Sequence, residues 1–259
     1  MNIKKRIISF LLVSIFSFEL ITPVIAMPLS KETHPQDWHF LFVICKRVDV
    51  DCDDGSGLIT HSIYQMTNKE IHIIMENAMQ FQEFMAQTGV MTPYINVIEI
   101  DTPIRSIKES KYGSWIDSNE IANILEDKIN LNQYDHIFCV VNLNVGTRYY
   151  GITGGPMKNG TGTSCINFYN TQKNMNPIFP EAVYVHEFLH FMEQLNGRWT
   201  NRFYLHNIGD AYAPVNDEWK ECYIDIILNQ SKANIEYGTG VLPIVWENPP
   251  HILREIEKE

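Results

Sequence analysis

His186, Glu187 and His190 stand in the order His-Glu-x-x-His within a stretch that is otherwise apolar: Ala182, Val183, Tyr184, Val185, Phe188, Leu189, Phe191 and Met192. On a helix the two histidines, four residues apart, share one face, and Glu187 lies about 100° around from His186. Two imidazoles aimed at one point are half of a site for zinc. A carboxylate beside them can take a proton from a water that such an ion acidifies. The chemistry suggested is metal-assisted hydrolysis with Glu187 as general base. Burying these three groups without partners would cost several kcal/mol, so something must satisfy them. The competing reading is two core histidines bonded to backbone carbonyls, with Glu187 at the surface.

The stretch that carries these residues has helical punctuation. Pro180 suits a first turn and Gly197 the position just past a helix end, so residues 180–197 read as one helix. Its apolar character all round marks it as buried. Upstream, Trp38 to Val48 reads as a buried strand, and Thr67 with Glu70 forms a capping box opening a helix that runs to Gly89. Tyr94 to Ile100 is a second strand. Asp117 with Glu120 again has capping-box spacing before a helix through Ile121, Ile124 and Leu125. His136 to Leu143 is a third strand, apolar enough to be central, and Cys165 to Tyr169 a short one. This alternation predicts an α+β fold whose upper part is α/β-like: a mixed sheet with helices packed on it.

Two motifs are read as structural. The glycine-rich stretch from Gly151 to Gly162 lacks a following Gly-Lys-Ser/Thr, so it reads as a turn or an edge strand rather than a phosphate cradle. Asp49, Asp51, Asp53, Asp54 and Gly55 imitate a calcium loop. Positions 6 and 12 hold Asp54 and Thr60, however, and a solvated acidic loop after a strand is expected.

The helix resembles the active-site helix of the zincin metallopeptidases, and the order of elements from about residue 38 to 197 resembles the zincin upper subdomain. That resemblance implies His186 and His190 as ligands of Zn2+, Glu187 as catalytic base and a peptide lying along the edge strand. The stretch Val185 to His190, with the later Asp217-Glu218-Trp219, is similar to secreted bacterial zincins of clostridial type. The metzincin pattern fails, because residue 193 is Glu and residue 196 is Asn. Gluzincins take their third ligand from a downstream helix, and one beginning near residue 216 would offer Glu218, Glu221 and Asp225 on one face, with Trp219, Tyr223 and Ile226 on an apolar one. Glu218 matches the narrower resemblance, and Glu221 with Asp225 imitates the gluzincin ligand and its supporting aspartate. His206 and Asp210 are further ligand types in the same region. Tyr212, with Tyr204 and His206, would line the lower wall of the cleft, where a hydroxyl could stabilise an oxyanion.

The remaining expectations concern location and partners. Lys4, Lys5 and Arg6, an apolar run from Ile7 to Phe18 and Val24-Ile25-Ala26 outline a secretory signal peptide over residues 1–26. Residues 27–259 then form a single zincin-like domain, with an upper subdomain over about 38–197 and a smaller helical lower one over about 198–259. The full chain carries a net charge of −11; without residues 1–26, 17 basic groups face 30 acidic ones, a balance of −13. That excludes a basic nucleic-acid groove, and stable membrane association after cleavage is not expected. Export permits disulfides. Cys45 and Cys52 are close enough to bridge a turn, and Cys139 reads as a buried thiol. The expected partner is a peptide or protein substrate. A non-catalytic zincin-like binding module and a zinc hydrolase of a non-peptide bond are the alternatives; the oligomeric state is left open.

Overall fold

The computed structural model describes residues 35–53, 56–110, 113–116, 118–125, 128–146, 151–154, 157, 159–173, 181–199, 203–208, 218–232 and 235–256. In chain order these form β1 (Gln36–Cys45), β2 (Arg47–Asp53), β3 (Ile59–Gln65), α1 (Asn68–Gln87), β4 (Met91–Ile100), β5 (Lys108–Ser110), β6 (Gly113–Trp115), α2 (Ser118–Leu125), β7 (His136–Val141), β8 (Gly151–Gly154), β9 (Gly162–Asn167), α3 (Phe168–Lys173), α4 (Glu181–Asn196), α5 (Leu205–Ile208), α6 (Glu218–Ile227), α7 (Pro243–Trp246) and α8 (Pro250–Ile256). The signal-peptide reading falls on residues 1–26, outside the described ones. None of the described helices is long and apolar enough to cross a membrane.

Both faces of β1 are apolar, and that decides where it sits. Trp38, Phe40, Phe42 and Ile44 pack on one side with α1 and α4; Leu41, Val43 and Cys45 pack on the other with α2. A strand buried on both faces belongs inside a sheet covered by helices. The five-stranded sheet runs β4-β1-β7-β9-β8, with β7 at its centre as its apolar sequence foretold. β4, β1, β7 and β9 are mutually parallel, and β8 pairs antiparallel with β9. The fold is α+β with a mixed sheet and packed helices. The capping box of α1 forms as read: the Glu70 carboxylate accepts from the Thr67 backbone N–H at 2.7 Å, and Thr67 Oγ1 accepts from Glu70 N–H.

The C-terminal segment shares the core of the sheet. Phe203, Leu205, Trp219, Tyr223, Ile226, Val241 and Trp246 belong to the same buried cluster as Phe40 and Phe188. Trp38 Nε1 donates to the Trp246 carbonyl at 3.1 Å, tying β1 to α7.

Three expectations need correction. Asp49 to Asp53 is not a loop: β2 pairs antiparallel with β3, because Val48, Val50 and Cys52 are buried while the intervening aspartates face outward. This period-2 alternation outweighs the low strand propensity of aspartate. Asp54 and Gly55 lie outside the described residues. Cys45 and Cys52 do not bridge, since extended chain separates them; Cys45 Sγ contacts the Val43 carbonyl at 3.9 Å and Cys52 Sγ the Thr60 carbonyl at 3.5 Å. The short strand read over Cys165 to Tyr169 ends at Asn167, and α3 begins at Phe168.

Candidate metal centre

α4 lies across the sheet with Phe188 edge-on to Phe40 and Trp38, their centroids 5.2 and 5.8 Å away. That packing turns His186 and His190 toward the side on which α5 and α6 pass. The two Nε2 atoms come within 3.1 Å of each other. His206, on α5, joins them: its ring centroid is 5.2 Å from that of His186 and 4.5 Å from that of His190. Ligand atoms of the three imidazoles all lie within 4.8 Å of one another, and among the described residues this is the group arranged to hold a metal ion.

The outward nitrogens are held. Tyr223 of α6 places its hydroxyl 2.9 Å from His186 Nδ1. Glu193, one turn after His190, places Oε2 2.6 Å from His190 Nδ1. In the tautomer with protons on both Nδ1 atoms, the two Nε2 lone pairs face each other, an arrangement that suits a cation between them. Tetrahedral zinc with Zn–N bonds of about 2.0–2.1 Å puts ligand nitrogens about 3.3 Å apart, close to the observed separation. Carboxylate-bound imidazole is the usual supporting arrangement for a metal-ligating histidine.

Electrostatics favour neutral rings at His186 and His206 and a protonated one at His190. Burial holds His186 well below the ordinary histidine range, reinforced by His190 and His206, and burial with His190 also lowers His206. Both rings are therefore neutral and can offer lone pairs. Burial would lower His190 too, but the bond to Glu193 and the charge of Glu187 reverse the sign and raise it.

Glu187 lies against the sheet edge while its charge is coupled to His190. It is buried, and burial raises its carboxyl above the usual range, opposed by His190 and by Thr153. Thr153 Oγ1 of β8 lies 2.8 Å from Glu187 Oε2 and 2.6 Å from the Glu187 carbonyl oxygen, its one hydroxyl proton serving the two acceptors. Thr153 Oγ1 also lies 3.0 Å from Ser164 Oγ, which lies 2.9 Å from Nε2 of the fully buried His136. A buried carboxyl with a raised pKa is suited to act as a general base near neutral pH.

The sequence-derived ligands fare differently. His186 and His190 are brought together as read, and His206, then one of several alternatives, joins them. α6 forms where a downstream helix was expected, with Trp219 and Tyr223 buried and Glu221 and Asp225 exposed. Glu221 is absent from the histidine group. Glu218 opens α6, but its side chain, like Asp210 and Tyr212, lies outside the described residues. Tyr204 is exposed and packs edge-on against Tyr237, 6.2 Å between centroids. Glu193, Tyr223 and Thr153 were not read from the sequence. Glu193 carried a local signal, a carboxylate one turn past a candidate ligand; Tyr223 and Thr153 carried none, since their contacts cross 37 and 34 residues.

No protein-family model matches this chain, and no curated protein matches it. Among solved structures it is similar to metalloproteinase-II from Bacteroides fragilis, at 11% sequence identity and a TM-score of 0.38, over 89% of this chain and 55% of that one. The chain thus spans about half the length of that protein.

Proposed function

We propose that the chain is a secreted zinc-dependent endopeptidase in which His186, His190 and His206 hold the ion and Glu187 is the general base. The observation that carries this reading is the convergence of three imidazoles, two with their outward nitrogens already bonded, beside a buried carboxylate with a raised pKa. His206 replaces Glu218 as the third ligand in this proposal, because its ring lies with the other two. Three protein ligands leave a fourth position open, as in catalytic zinc sites. When bound, zinc would acidify a water and polarise the carbonyl under attack. Glu187 would serve there as the group that accepts a proton from the attacking water and returns it to the leaving amine. Thr153 holds Oε2 of Glu187, and Oε1 lies against Gly151 of the same edge strand, so both carboxylate oxygens stand beside β8.

β8 offers the edge along which a peptide substrate would lie. Among the described strands it ends the sheet, paired with β9 on one side only. An extended peptide adding to its other side would gain main-chain hydrogen bonds and pass beside Glu187. Secretion is supported by the basic start, apolar run and small-residue cut site over residues 1–26.

The test is the Glu187→Gln variant with zinc content and cleavage of an unstructured protein such as casein measured together. Zinc is expected at one per chain in both proteins and cleavage in the wild type alone. A variant that still cleaves removes Glu187 from the mechanism. A wild type that binds zinc without cleaving casein leaves the binding module or the non-peptide hydrolase, and one that binds no zinc ends the metal reading.

A further inference from the structure

Glu193 makes two contacts that no ordinary surface glutamate would make. It projects from α4 into a half-buried position, its side chain 17% exposed. Oε2 lies 2.6 Å from His190 Nδ1, and Oε1 accepts the backbone N–H of Leu205 at 2.5 Å. Leu205 is the residue immediately before His206. One carboxylate therefore grips the ring of one candidate ligand and the main chain that carries another, 12 residues further on.

We infer that Glu193 is a positioning residue that sets where His206 stands relative to His190, so that the third arm of the metal site depends on a side chain that does not touch the ion. The inference rests on the metal-site reading above. His186 and His190 need no such device, because helical spacing already aligns them. His206 has no spacing of that kind: it sits on the four-residue α5, after a connection that includes residues outside the described ones. Burial anchors its neighbours, with Phe203 and Leu205 almost fully enclosed, and the Tyr204 N–H donates to the Tyr237 carbonyl at 3.1 Å. Those anchors tie the segment to the core and to the turn at Ile235–Tyr237. The Glu193 carboxylate ties it to α4, where the other two imidazoles are.

The chemistry of a carboxylate suits both ends of this link. Its two oxygens are acceptors only, so one holds the His190 proton on Nδ1, which keeps the Nε2 lone pair directed inward, while the other caps the Leu205 N–H at the start of α5. Glutamine could serve only one end correctly: with its carbonyl on Leu205, its NH₂ would face His190 Nδ1 and force the ring proton onto Nε2.

A zinc-binding cycle on the full chain tests this. Zinc affinity is measured by competition with a chromophoric chelator for the wild type, Glu193→Ala, His206→Ala and the double variant, with circular dichroism as the check on folding. Glu193→Ala is expected to weaken zinc binding ten- to hundredfold. In the His206→Ala background the same change should lose most of that factor, because the arm it positions is gone. Equal factors in both backgrounds would overturn the inference while leaving the metal site standing; a wild type that takes up no zinc overturns both. Should Glu193→Ala fail to fold, Glu193→Asp, one methylene too short to span both contacts, takes its place in the cycle with the same expectation.

Discussion

Gly151 is glycine because of Glu187. A Cβ built on Gly151 would stand 2.7 Å from Glu187 Cγ and 2.8 Å from its Oε1, with Ile166 Cδ1 equally close. The edge strand and the candidate base are in van der Waals contact, and the absent methyl is what lets the carboxylate lie against β8. Gly151→Ala would displace Glu187 by a good fraction of an ångström. The expected result is a fall in kcat on the order of a hundredfold, with zinc content unchanged. Loss of zinc instead would mean that the displacement runs along α4 into the ligands.

Among the described residues, Thr153 supplies the side-chain hydrogen bond to the Glu187 carboxylate. Hydrogen bonds to charged groups contribute about 1.5–3 kcal/mol, and Val keeps the shape of Thr without the donor. Thr153→Val should lower kcat about ten- to hundredfold with little change in KM, while Thr153→Ser restores most of the rate. Equal losses from Val and Ser would show that packing, not the hydroxyl, is what Thr153 contributes.

His136 gives the protein an acid-sensitive core. Burial pushes its pKa down to about 3, whereas an exposed imidazole titrates near 6.5. Between those values the unfolded chain binds a proton that the folded one refuses, so stability falls as the pH drops through that window, by about 1.4 kcal/mol per unit. Above about 6.5 the group contributes no pH dependence. His136→Gln, which keeps a partner for Ser164, should flatten the denaturant-derived stability curve between pH 6 and pH 4 by about one proton. Parallel curves for the two proteins would place the acid lability elsewhere.

Asp135 anchors the C-terminal helix from inside. Fully buried, it accepts from the backbone N–H of His39 at 2.8 Å and of His251 at 2.7 Å, and lies 2.9 Å from His251 Nδ1. Asp135→Ala leaves these donors unmatched and should cost about 3 kcal/mol of stability. Hydrogen exchange should rise first in residues 250–256, with the α4 amides protected until global unfolding. Simultaneous exchange of both regions would show that α8 is no separate latch.

How much of this could be read from the residues alone depends on the range of the physics involved. Local periodicity placed β1, β7, α1 and α4, because alternating or helical burial is written in consecutive residues; Thr67 and Glu70 announced a helix start three residues apart. It misjudged Asp49 to Asp53, where aspartate suggested a loop although the alternating Val48, Val50 and Cys52 describe a strand with one face inward. The alternation needed β3 as a partner to become visible, and pairing is not a local property.

The site divides along the same line. His186, Glu187 and His190 were determined by the sequence, since four residues of helix fix how two rings and a carboxylate face one another whatever surrounds them. His206, Tyr223, Thr153 and the double grip of Glu193 were decided by tertiary structure alone. Their contacts depend on how α5, α6 and β8 pack around α4, and packing is set by the shapes of a whole core at once: no spacing between His190 and His206 would have distinguished that histidine from the carboxylates that follow it.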